Sequence, residues 1–177
     1  MKSAPFKIGV VCASSRFSLD RMQAIEAWME QVVPDRSIAL VFHPACLLKH
    51  GHFAGDDRTR AEAFVEFAND PRIDAVWFAR GGYGSNRILD AVMPRLNAAA
   101  KAKRYLGYSD MGFMLGALYA RRIGHVAHGP MTGDLGTGAG DATIAHGLTP
   151  RKRAPSEESA SWPMRIATSM PCATRST

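Results

Sequence analysis

The sequence predicts a doubly wound α/β domain, a mostly parallel sheet of about five strands with helices on both faces. Three observations carry that expectation. Short apolar runs alternate with amphipathic stretches over the first 130 or so residues, the signature of repeated βα units. Each pair of runs is separated by a segment of crossover length rather than a two-residue turn, which requires parallel pairing with right-handed crossovers. The chain of 177 residues, 46% of them hydrophobic, is long enough for one cored domain.

The elements follow in order. KIGVVC at 7–12 reads as a buried strand. Leu19, Met22, Ile25, Trp28, Met29, Val32 and Val33 recur every three or four residues, marking one face of a helix that stops before Pro34. A second strand is expected at 38–42. After a polar stretch with Gly51 and Gly55, a helix carries Ala61, Phe64, Val65 and Ala68, capped by Asp56 or Asp57. IDAVWFA at 73–79 is a third strand, broken by Gly81-Gly82-Tyr83-Gly84 before a short helix at about 85–92 that Pro94 closes. A strand at 105–108, a helix at 111–119 and a short strand at 125–127 complete the domain, placed at 1–135.

The remainder, 136–177, differs in kind. Residues 151–177 hold no Leu, Val, Phe or Gly, and Ser, Thr and Pro fill 11 of the 27 positions. Such a composition buries little surface, so an irregular tail is expected. Five basic residues against Glu157 and Glu158 place half of the +6 net charge there. The rest is spread thinly with no basic helix or aromatic strand, which argues against a nucleic-acid partner. No apolar run spans a membrane and no secretory signal precedes residue 8, so a cytoplasmic protein is expected. Cys12, Cys46 and Cys172 form no C-x-x-C pair, and the histidines form no H-E-x-x-H pattern, so no metal is expected.

In an open parallel sheet, ligands bind beyond the carboxyl ends of the strands. Three loops should meet there: Ala13-Ser14-Ser15, 81–85, and Ser109-Asp110. A serine between a strand and a helix start is either a nucleophile on a sharp turn or an N-cap accepting a helix amide. Gly81, Gly82 and Gly84 either free backbone amides for an oxyanion or form a plain tight turn. Arg80 and Arg87 hold a substrate carboxylate or make surface ion pairs. G-G-Y-G lacks phosphate-binding spacing, so a nucleotide-binding reading has no motif behind it.

These segments, in this order, resemble the N-terminal half of the LD-carboxypeptidase family, serine peptidases that include microcin immunity peptidases. The matching pieces are IGVVCASS at 8–15, GDDRTRAEAF at 55–64, ARGGYGSNRIL at 79–89, GYSDMGFML at 107–115 and HGPM at 128–131. The resemblance implies a cytoplasmic enzyme, usually a homodimer, that needs no cofactor and removes the terminal D-alanine from murein tetrapeptides. It places the nucleophile on Ser109 and oxyanion amides on Asp110 and on Gly81 or Gly82; Arg80, Tyr83, Gly84 and Ser85, in and beside the glycine loop, are the residues expected at the substrate. The family's Glu and His belong to a C-terminal domain that nothing after Met131 resembles. A truncated, impaired enzyme is therefore expected, its second domain replaced by out-of-frame residues. The competing reading is a non-catalytic module binding a small peptide or an anionic ligand at the same edge.

Overall fold

A computed structural model describes residues 4–136 together with Asp141 and Ile144. The strands are β1 (Phe6–Val11), β2 (Ile38–Phe42), β3 (Ala75–Phe78), β4 (Arg104–Gly107) and β5 (His125–His128). They form one five-stranded sheet of order β2-β1-β3-β4-β5. Every pairing is parallel, with Gly9 opposite both Val41 and Val76. The sheet is thus wholly rather than mostly parallel.

Side chains alternate across the strands and fill two cores. Ile8, Val10, Trp77 and Leu106 pack on one face with Ile25 and Met29 of α1 (Leu19–Val32). Val11, Val76, Phe78 and Tyr105 pack on the other with α2 (Asp57–Asn69), α3 (Leu89–Val92) and α5 (Met111–Ala120). Helices therefore cover both faces. The central strand β3 is buried throughout, which is why its sequence reads as a continuous apolar run.

Local chemistry sets the helix ends. Ser18 caps α1 by accepting from Arg21 N at 3.3 Å, and the helix ends at Val33, before Pro34. Of the two candidate caps on α2, Asp56 takes the role, accepting from Thr59 N at 2.7 Å. The single helix expected at about 85–92 is divided into a 3₁₀ turn (Asn86–Ile88) and α3. Pro94 sits inside a further 3₁₀ turn (Met93–Arg95) instead of closing the segment, because the first positions of a helical turn need no N–H from it. A short α4 (Ala98–Ala102), capped by Asn97, had no expectation at all. Apart from Gly136, Asp141 and Ile144, the stretch 136–177 lies outside the described residues, Glu157 and Glu158 included. No helix among the described residues is long and apolar enough to cross a membrane.

Candidate active site

The chain runs from β1 to β2 on one side, while β3 lies on the other side of β1. Loops leaving β1 and β3 diverge at such a switch point and open a crevice. A cleft of about 580 Å³ lies there. Arg16, Phe17 and Ser18 line it after β1, Ala79 to Gly82 after β3, Tyr108 and Ser109 after β4, and Met131, Gly133 and Asp134 after β5.

Ser109 is exposed in this cleft with φ +59°, in the left-handed region that costs an L-residue about 1–2 kcal/mol. Strain of this kind survives only where the surroundings over-determine the conformation. The N-cap alternative fails on geometry. Asp110 occupies the cap of α5, and the Ser109 hydroxyl makes no hydrogen bond among the described residues, while its carbonyl accepts from Gly112 N at 2.9 Å. A serine on a strained strand-to-helix corner, hydroxyl outward, is the geometry of a nucleophile elbow.

The glycine loop lies directly against that serine. A Cβ on Gly81 would come within 3.1 Å of both Cβ and Oγ of Ser109, so a side chain there would crowd the serine. Gly82 has φ +131°, and a Cβ there would collide with Ser15 Oγ. The amides of Gly81, Gly82 and Asp110 donate to no atom among the described residues.

Of the other residues of the expected site, Arg80 lines the cleft, whereas Tyr83, Gly84 and Ser85 belong to the loop beside it. Ser85 is fully buried; its hydroxyl donates to the Asp110 carbonyl at 2.5 Å and its amide to the Asp110 carboxylate at 2.9 Å. These two bonds tie the glycine loop to the serine corner. Gly84 is buried and its carbonyl accepts from Arg60, while Tyr83 is exposed and tilts over Phe53 at 6.1 Å. Ser14 Oγ donates to the Tyr83 carbonyl at 2.9 Å, linking the loop to β1 as well. Arg87 is taken by Asp57 at 2.8 Å, the ion-pair alternative, whereas Arg80 is exposed on the cleft wall with no such partner among the described residues.

Arg60 went unnoticed in the sequence because it reads as the polar face of α2. Its guanidinium is fully buried, donates to the carbonyls of Ala13 and Gly84, pairs with Asp57 and faces the Phe53 ring at 4.5 Å. Cys12 and Cys46 are both buried, away from the cleft's lining. A hydrogen bond with Cys46, together with burial, pushes the Cys12 thiol well above its ordinary range, so it stays protonated. Burial and the neighbouring Asp134 carboxylate also raise Tyr108, which donates to Asp134 at 3.2 Å. No group of three or more metal-ligating side chains occurs among the described residues.

Fold and site together define an α/β domain with a serine elbow facing a glycine-rich amide loop. The chain matches the LD-carboxypeptidase N-terminal domain over residues 8–129, and it belongs to that family. It is 33% identical over 137 residues to a Streptomyces coelicolor protein named as a carboxypeptidase, covering 73% of this chain and 41% of the relative. It is 31% identical over 88 residues to the murein tetrapeptide carboxypeptidase of Pseudomonas aeruginosa, covering 50% of this chain and 28% of that protein. The chain thus spans about two fifths or less of the length of these relatives. In fold it resembles the microcin C7 self-immunity protein MccF in its ligand-free state, with a TM-score of 0.64 at 22% identity, covering 86% of this chain and 47% of the other. A muramoyltetrapeptide carboxypeptidase from Oxalobacter formigenes superimposes with a TM-score of 0.54 at 23% identity, over 71% and 40% of the two chains.

Proposed function

We propose that this chain carries the nucleophile half of a cytoplasmic serine carboxypeptidase that releases a terminal D-alanine from murein tetrapeptides. Family membership supports a serine carboxypeptidase hydrolase, and the names of the relatives support murein peptides as substrate. The single observation that carries the reading is the exposed Ser109 at φ +59°, set against Gly81 at the floor of the cleft.

In this scheme the Ser109 hydroxyl attacks the carbonyl carbon of the bond between the L-centre and D-alanine. Its proton passes to a base and then to the departing amine of D-alanine. The tetrahedral oxygen takes hydrogen bonds from the amide of Asp110 and from that of Gly81 or Gly82. Arg80 holds the terminal carboxylate that marks the residue to be removed. Water then hydrolyses the acyl-enzyme and restores the hydroxyl. Among the described residues no histidine or carboxylate bonds to Ser109; in the family the resemblance points to, the base belongs to the C-terminal domain.

Turnover of an L,D-tetrapeptide by the chain and by Ser109→Ala tests the reading. Loss of all turnover in the variant is expected. Turnover that survives would remove Ser109 from the mechanism, and tight binding of the tetrapeptide with no covalent labelling of Ser109 by a serine-directed phosphonate would favour the non-catalytic peptide module.

A further inference from the structure

We infer that Ser85 and the Asp110 side chain are positioning residues for the serine chemistry: together they set the spacing between the glycine-loop amides and the amide of Asp110, so that both meet one tetrahedral oxygen. The inference rests on the reading of Ser109 as a nucleophile, and neither side chain touches the substrate in it.

Asp110 stands where an aspartate ordinarily caps a helix, its carboxylate accepting an amide of the first turn. It makes no such bond to α5. The carboxylate instead crosses to the glycine loop and accepts from Ser85 N at 2.9 Å, 25 residues back in the chain. Ser85 returns the contact, its hydroxyl donating to the Asp110 carbonyl at 2.5 Å. That carbonyl already accepts from Phe113 N at 3.2 Å, so the helix start has no need of the hydroxyl. Two bonds that local structure does not require are thus made between two buried residues, Ser85 at 0% and Asp110 at 8% exposure.

Their place in the fold gives them a role. Among the described residues they are the only hydrogen bonds between 81–85 and 109–110. The other ties on the loop run away from the serine, to Ser14 at Tyr83 and to Arg60 at Gly84. At its near end the loop meets Ser109 through packing at Gly81. The gap between the loop amides and the Asp110 amide is therefore held by the Ser85–Asp110 pair. Oxyanion donors act where the charged oxygen arrives, so an error in that gap is felt in the tetrahedral state more than in ground-state binding.

The experiment compares two probes on the full chain by calorimetric titration. One is the tripeptide L-alanyl-γ-D-glutamyl-L-lysine with its terminal carboxyl replaced by a boronic acid. Boron takes the Ser109 oxygen as a fourth ligand and the hydroxyl proton passes to solvent, which leaves a tetrahedral, negatively charged centre before the amides. The other is the tetrapeptide ending in D-alanine with its scissile carbonyl reduced to methylene, which fills the same cleft and offers no such oxygen. Ser85→Ala should weaken the boronate about tenfold and the reduced peptide about twofold or less, because displacements of a fraction of an ångström are costly at a reacting centre. This variant strands no acceptor, since Phe113 still holds the Asp110 carbonyl. Asp110→Ala should act in the same direction, and Asp110→Asn, which keeps an acceptor for the Ser85 amide, should recover most of the loss. Equal weakening of both probes, or a boronate affinity unchanged in Ser85→Ala and Asp110→Ala, overturns the inference. Failure of the nucleophile reading is seen separately, in the parent itself, as a boron resonance that stays trigonal or an adduct that persists in Ser109→Ala.

Discussion

Replacing Arg60 with methionine would test whether the cleft is held by buried polar ties or by apolar packing alone. The guanidinium bridges the end of β1 through Ala13, the glycine loop through Gly84, and the first turn of α2 through Asp57. Methionine has similar reach and no donor. Two carbonyls would lose their donor in a buried site, at about 1–3 kcal/mol each. Part of that is offset because the buried charge also disappears, and with it the Nε that has no partner. Asp57 is not stranded, since Arg87 stays 2.8 Å away. The net loss should be about 2–4 kcal/mol, read from urea unfolding of the two proteins side by side. Peptide binding at the cleft should weaken as well, because Gly84 is continuous with the amide loop. Arg60→Lys should recover less than half the loss, since an ammonium cannot span three acceptors with a planar fork. An Arg60→Met protein within about 1 kcal/mol of the parent and with unchanged binding would refute the reasoning.

Two further outcomes can be checked on the same material. Ser109→Gly should be more stable than Ser109→Ala by about 0.5–1 kcal/mol: glycine removes the left-handed penalty of about 1–2 kcal/mol and gives back part of it as backbone entropy; equal denaturation midpoints would show that the corner is not strained. Asp70 is held at about 2 by its hydrogen bonds with Arg72, below the ordinary 3.8. Its contribution is therefore complete above about pH 4 and lost as pH falls through 2. Because Arg72 is 81% exposed in its side chain, solvent screens the pair and the contribution is about 1 kcal/mol at most. Asp70→Asn should accordingly be less stable at pH 6, with the difference shrinking as pH falls from 4 through 2. A constant difference across that range would assign the effect to packing.

Strands β1, β3 and β4 were legible because burial on both faces writes itself as unbroken apolar runs such as VWF at 76–78. The serine corner and the amide loop were legible because strand, Gly-rich break and helix start follow one another locally. What was lost was either too short or too distant. Ala98–Ala102 has no apolar period to detect, being alanine broken by one lysine. Arg60 reads as one more polar position on a helix, and its burial depends on Ala13 and Gly84, 47 and 24 residues away. The same distance hid the Cys12–Cys46 contact, which joins the end of β1 to the turn after β2.

The ties around the cleft explain why a strained serine can persist there. Left alone, the chain at Ser109 would relax to negative φ and turn the hydroxyl away. Relaxation is resisted because the next residue, Asp110, is bonded twice to Ser85, once through its carboxylate and once through its carbonyl. Ser85 in turn belongs to a loop pinned by Ser14 at Tyr83 and by Arg60 at Gly84. Moving Ser109 therefore disturbs hydrogen bonds on three loops at once, which together cost more than the strain of about 1–2 kcal/mol it would release. The amides of Gly81, Gly82 and Asp110 belong to the same tied loops and donate to no atom among the described residues. Side-chain ties that look structural are thus what keep both the hydroxyl and its facing donors available, and their loss should be felt at the cleft before it is felt in the sheet.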